Sequence, residues 1–341
     1  MRDARPAELV LGSVQLGLDY GAANRTGMPS HGAALKLVHR AADAGITKFD
    51  TARAYGESEN RLGEALETRK GIRTVTKLSP LSELGPNASR DEVREAVDRS
   101  IWASLLALRR AKLDCLLLHR ASHMFAFNGW VWERLIEQLE QGTMLSLGVS
   151  VQTPAETLSA LDCTDVSHIQ LPFNLLDWRW RESGVIDRIR QRAHLTVHAR
   201  SVFLQGILAA DDPAVWPKID GVNAPDLVDF VSELARQFER TNAADLCLEF
   251  AQRQLLQLGV GPHIGLLIVR FTRQFFTPPR SRLPLGLRQP VGQCPIDIAG
   301  IGLQEYLPRL AVEMRADKVL LGRPQGHRRA IGSEIRYVVL Q

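Results

Sequence analysis

The sequence predicts an α/β fold: a (β/α)8 (TIM) barrel, single domain, with an irregular C-terminal extension. Three observations carry the prediction. Short β-type runs alternate with amphipathic stretches seven times in succession. Such alternation demands parallel strands with crossover helices. No G-x-G-x-x-G follows the first run, which weakens an open, doubly wound sheet built around a dinucleotide. One more apolar run, "IGLLIV" at 264–269, brings the strand count to the eight that a closed barrel needs.

The elements follow in order. "ELVLGSVQ" (8–15) reads as the first strand, and Ser30 caps a helix closed by Gly45. "TKFD" (47–50) is the second strand, 58–67 a helix and "RTVTK" (73–77) the third strand. Ser89 and Glu92 form a capping box for a long helix to about Arg109. "LDCLLL" (113–118) is continuously apolar, as a strand covered on both faces should be. A helix ending at Gly142 leads to a strand at 144–150. Thr153 and Pro154 open the next helix, with proline at its first position. Strands at 168–173 and 196–201 flank a helix at 180–193, and 225–240 and 243–258 read as helices. A second candidate for the last strand lies in 317–331; closeness to the preceding helix favours 264–269.

The chain has 341 residues, 45% hydrophobic and 23% charged, the balance of a globular enzyme. No apolar run is long enough to cross a bilayer, and the N-terminus lacks the apolar segment of a secretory signal. Cys115, Cys163, Cys247 and Cys294 are widely spaced, which fits reduced thiols in a cytoplasmic protein. The net charge of +4 conceals an asymmetry: residues 253–341 carry 13 Arg/Lys against 5 Asp/Glu, a balance of +8. A solvated arginine-rich surface accounts for it, and no nucleic-acid partner is expected, because no aromatics are interleaved for base stacking. Monomer or weak homo-oligomer is the expected state.

Polar residues at the C-terminal ends of barrel strands share one mouth. Asp50 ends the second strand, and Tyr55 lies in the loop after it. Lys77 ends the third strand and His119 the fourth. A free tyrosine has a pKa of about 10 and is a poor acid near neutrality. A neighbouring ammonium stabilises its phenolate, a carboxylate holds that ammonium in place, and an imidazole can hydrogen-bond a carbonyl oxygen. Such a group suits protonation of a carbonyl oxygen as hydride reaches its carbon. His119 and His123 lie four apart, a spacing that binds metal on a helix, but they stand at a strand end and loop, so no metal site is expected. Phe125, Phe127, Trp130, Trp178 and Trp180 are placed to line a pocket or to pack loops onto helices.

"FDTARAYGESENRLGEAL", "TVTKLSP" and "LLLHRAS" resemble the signatures of the aldo-keto reductase family, in the same order and spacing. "LGVSVQTPAETL", "IQLPFNLL" and "HARSVFLQGIL" resemble its later motifs, so the likeness covers about residues 8–252. The resemblance implies a barrel that reduces an aldehyde or ketone, a sugar carbonyl among them, with NADP(H) or NAD(H). By it, Tyr55 is the general acid, Lys77 its partner, Asp50 the brace of Lys77, and His119 the residue orienting the carbonyl. Ser150 and Gln170 would hold the nicotinamide carboxamide, and Ser201 and Gly206 would run beside the pyrophosphate.

Val151 stands where the family usually has Asn, which removes one carboxamide contact. Arg200 replaces an aromatic residue that stacks on the nicotinamide; its guanidinium can stack there or reach a phosphate or an anionic substrate. The expected division is a barrel over 1–270 and an atypical basic segment over 271–341, with Arg270 and Arg273 near the adenosine phosphate. The alternative reading is a catalytically weak, cofactor-binding regulatory barrel with an impaired nucleotide site.

Overall fold

The computed structural model describes residues 8–218, 222–257 and 264–268. Eight parallel strands close into a barrel in chain order: β1 (Glu8–Gly12), β2 (Lys48–Asp50), β3 (Arg73–Lys77), β4 (Cys115–Leu118), β5 (Leu147–Ser150), β6 (His168–Pro172), β7 (Thr196–Arg200) and β8 (Ile264–Ile268). β8 pairs with both β7 (Val197 with Ile264) and β1 (Glu8 with Gly265), so the seam is shut. The alternative strand at 317–331 lies outside the described residues, and 264–268 fills the place it would need.

The crossovers are α1 (Val14–Gly17), α2 (His31–Asp43), α3 (Ser58–Leu66), α4 (Arg90–Leu108), α5 (Trp130–Glu140), α6 (Pro154–Leu161), α7 (Arg179–Glu182), α8 (Val185–Arg190), α9 (Ala224–Gln237) and α10 (Ala243–Gln257). The expected capping box is present at the start of α4, where Ser89 and Glu92 each accept a hydrogen bond from the other's backbone N–H. Thr153 caps α6 by accepting from the Glu156 N–H, a bond whose loss costs about 1 kcal/mol. Each long helix buries one stripe: in α9 it is Leu227, Val231, Leu234 and Ala235.

Several boundaries shift from expectation: the strand expected over 144–150 begins at Leu147, and the helix expected over 225–240 ends at Gln237. β1 stops at Gly12, and residues 14–17 turn into α1; at the junction both the backbone N–H and the hydroxyl of Ser13 donate to the Asp50 carbonyl. The helix expected over 180–193 is two short helices broken at 183–184. Trp180 is fully buried and donates through Nε1 to Asp177, so it packs the core beneath the rim and does not line a pocket.

The apolar residues form two groups. The larger lies between strands and helices. The smaller, Val75, Cys115 and Leu117, fills part of the barrel's interior. Among the described residues, the buried polar side chains of Asp50, Lys77, Ser150 and Gln170 lie at or near the C-terminal ends of their strands.

Candidate active site

Asp50 and Lys77 meet inside the barrel. Lys77 Nζ donates to Asp50 Oδ1 at 2.6 Å and to the Thr51 carbonyl at 2.8 Å, and both side chains are 1% exposed. The second carboxylate oxygen of Asp50 accepts from Gln170 Nε2 at 2.6 Å. Burial works against the Lys77 ammonium, but the pull of Asp50, then of Tyr55, and their hydrogen bonds outweigh it and raise its pKa. The pair is therefore a fixed positive group held in place by a fixed negative one.

Tyr55 reaches the pair from the loop after β2. Lys77 Nζ lies 5.0 Å from its ring centroid, and its ring meets that of His119 edge-on at 5.7 Å. Backbone packing places this loop. A Cβ on Gly17 would come 1.8 Å from the Tyr55 carbonyl and 2.5 Å from the Ser58 N–H, so only glycine lets α1 approach this closely. Ser13, Thr51 and Ser58 tie the loop bottoms together: the Ser13 and Ser58 hydroxyls are 2.6 Å apart, and those of Thr51 and Ser58 3.0 Å. Glu59, fully buried in the first turn of α3, accepts from Thr76 Oγ1 at 2.6 Å and from the Arg53 guanidinium. Arg53 N–H in turn donates to the Lys77 carbonyl at 3.1 Å. The loop carrying Tyr55 is thus clamped to the strand carrying Lys77.

His119 completes the group. Its Nδ1 is buried without a hydrogen-bond partner. Burial, followed by the charges of Lys77, Arg200, Arg120 and His123, pushes its pKa down to about 3, so the imidazole is neutral at physiological pH. A neutral imidazole has one N–H to donate and one lone pair to accept with.

The residues expected to hold a cofactor border the same mouth. Ser150 and Gln170 are paired across β5 and β6. Gln170 Oε1 is buried with no partner while Nε2 serves Asp50, so an acceptor is left ready for an amide N–H. The two departures from the family pattern touch each other: Arg200 Nη2 donates to the Val151 carbonyl at 2.9 Å and Nη1 to Ser201 Oγ at 3.2 Å. Ser201, Leu204, Gln205 and Gly206 all have positive φ, so the loop after β7 turns tightly. Gly206 brings it against the loop after β1, where a Cβ would lie 3.0 Å from Ala23 Cβ. Arg270 and Arg273 lie outside the described residues. Among the described residues, no group of three or more His, Cys, Asp or Glu is arranged to hold a metal ion, and no helix is long and apolar enough to cross a membrane.

A sequence profile described as "Aldo/keto reductase family" matches residues 8–273. The chain belongs to the aldo/keto reductase family. The 6-dehydroglucose reductase of Novosphingobium aromaticivorans is 34% identical over 129 residues, a match spanning 34% of this chain and 41% of that protein. The chain therefore matches less than half the length of this curated relative. Among solved structures, the holo form of the aldo-keto reductase AKR11C1 from Bacillus halodurans superposes with a TM-score of 0.54 at 20% identity, covering 76% of this chain and 82% of that one. PA4992 from Pseudomonas aeruginosa, provisionally assigned to the aldo-keto reductases, gives 0.51 at 21% identity over 77% and 84%. These likenesses establish the fold.

Sequence reasoning named Tyr55, Lys77, Asp50 and His119 but missed the clamp made by Glu59, Arg53 and Thr76. Its only signal was a charged residue three positions beyond Gly56, on a helix whose other buried residues are mostly small or apolar. The direct bond from Gln170 to Asp50 was also missed, because 120 residues separate the two in the chain.

Proposed function

We propose that the chain is an NADPH-dependent carbonyl reductase, one barrel domain running to about residue 270, in which Tyr55 protonates the carbonyl oxygen. The observation that carries this reading is the convergence of a phenol, a buried ammonium–carboxylate pair and a neutral imidazole at three neighbouring strand ends. When bound, the cofactor supplies the hydride.

This chain's residues supply the rest. His119 donates a hydrogen bond to the carbonyl oxygen and orients it. Tyr55 gives that oxygen its proton, and Lys77 stabilises the phenolate left behind. Asp50 keeps Lys77 charged and aimed, and Gln170 keeps Asp50 aimed. Burial of Asp50 and Lys77 strengthens their interaction by excluding water. The orphaned Oε1 of Gln170 and the hydroxyl of Ser150 are the polar groups offered to a carboxamide, while Ser201 and Gly206 border the route of the pyrophosphate. Arg270 and Arg273 are proposed for the adenosine phosphate. A small aldehyde or ketone is the substrate class, and a sugar carbonyl is one form of it, in line with the name of the Novosphingobium relative.

The test is NADPH oxidation with a reactive aromatic aldehyde. Wild-type protein turns it over, and Tyr55→Phe loses about 100- to 10,000-fold in kcat, the range for a general acid. Undiminished turnover in Tyr55→Phe assigns the proton to another group. Fluorescence titration with NADPH measures cofactor binding independently of turnover.

A further inference from the structure

The mouth of the barrel holds cationic groups that the described residues do not neutralise. Lys77 is matched by Asp50, but Arg200 is not matched by any described carboxylate. Its guanidinium reaches from the end of β7 past β6 to the end of β5, and its two bonds go to neutral oxygens, the Val151 carbonyl and Ser201 Oγ. A guanidinium has five N–H donors, so three remain. Arg120 follows His119 directly, is exposed, and has no ion-pair partner among the described residues. Arg200 ends β7 and Arg120 lies two residues past the end of β4, so both stand at the end of the barrel that carries His119.

The carboxylates of the surrounding loops are already engaged. Glu59 serves Arg53 and Thr76. Asp177 serves Arg179 and the Trp180 ring N–H. Asp19, in the loop after β1, accepts from Asn24 Nδ2 at 3.3 Å. A planar guanidinium matches a carboxylate or phosphate edge through two parallel bonds, which a point charge cannot do.

We propose that this mouth selects carbonyl compounds carrying an anionic group, with Arg200 as the principal counter-charge and Arg120 as the outer one. The inference rests on the carbonyl-reductase reading and names its substrate class.

The experiment compares kcat/KM for 4-carboxybenzaldehyde and benzaldehyde at saturating NADPH. The ratio of the two cancels any loss common to both substrates. Wild-type protein is expected to favour the carboxylate at least about tenfold, the low end for a hydrogen bond to a charged group. Arg200→Gln should bring the ratio close to one. Arg200→Lys keeps the charge without the planar fork and should retain part of the preference, which guards against a glutamine variant that fails to fold. Arg120→Gln, at an exposed position, should lower the ratio only about two- to fivefold. A wild-type ratio of one or less, or a ratio unchanged in Arg200→Gln, overturns the proposal. It also fails if Arg200→Gln weakens NADPH binding in the fluorescence titration and slows both aldehydes alike, because Arg200 then serves the cofactor. Benzaldehyde turned over without preference sinks the anion site alone; both aldehydes inert sinks carbonyl reduction and the anion site together.

Discussion

Two clusters of titratable side chains lie inside the same barrel and are treated in opposite ways. Near the mouth, Asp50 and Lys77 are both buried and joined at 2.6 Å, with Gln170 on the remaining carboxylate oxygen, and Lys77 stays charged. On β4, β6 and β7, two residues before Leu117, Gln170 and Arg200, the buried Cys115, His168 and His198 form a lower cluster and stay neutral. Cys115 Sγ and His168 Nδ1 are 3.2 Å apart, and the two imidazole rings meet edge-on at 4.2 Å. Burial pushes the Cys115 thiol up to about 12 and the His168 imidazole down to about 3, and it drives His198 well below its ordinary value. The difference teaches that burial alone does not decide ionisation. An opposite charge within hydrogen-bond distance keeps Lys77 ionised; among the described residues the lower cluster has no carboxylate in contact, and Lys48 and Lys77 both oppose a further positive charge there.

Breaking the upper cluster should have the largest effect. Asp50→Asn leaves the Lys77 ammonium buried without its counter-charge, and losing one partner of a buried pair costs about 3–5 kcal/mol. The midpoint of urea unfolding should fall accordingly, and aldehyde turnover should fall with it, because Lys77 is no longer aimed at Tyr55. An unchanged midpoint would mean that the lysine sheds its proton at little cost.

Acid should act on the lower cluster. The folded pKa of His168, about 3, lies below the unfolded value of about 6.5. Between those values the unfolded chain binds the proton and the folded chain does not. The stability that follows from this is complete above about pH 6.5 and is lost as pH falls towards 3. By pH 5 His168 alone should account for a loss of about 2 kcal/mol. His168→Leu should flatten that part of the stability curve, measured by urea unfolding at several pH values; a curve as steep as wild type would place the acid sensitivity elsewhere.

The mildest change is Cys115→Ala. It removes one buried sulfur from the small interior group, with an expected cost of about 1–2 kcal/mol. Aldehyde turnover should stay within about twofold, since Cys115 touches none of the reacting groups. A larger loss of activity at full stability would show that the lower cluster supports the upper one electrostatically.

Much of the fold was legible because its signals are local. The capping box of α4, the proline at the start of α6 and the alternation of strand and helix act over a few residues, and each appears where the sequence places it. The strand ends carrying Asp50, Lys77 and His119 were legible for the same reason: a polar residue closing an apolar run is a one-dimensional pattern. The end of β1 was not, because the bonds that hold Ser13 there go to a carbonyl 37 residues away. Nor was the break at 183–184, where helical periodicity runs through a segment that the structure divides.

The sequence by itself determined the parallel βα order and the four groups at the mouth, since each depends on residue type and spacing along one strand or turn; it offered two candidates for the eighth strand, and barrel closure took the one at 264–268. Only the tertiary structure decided that Gln170 would serve Asp50, that Val151 and Arg200 would touch, and that two histidines would be buried neutral beside Cys115. Those facts arise from barrel closure, which sets side chains from distant strands a few ångströms apart. Electrostatic and hydrogen-bonding energies depend on that separation in space, and distance along the chain does not report it.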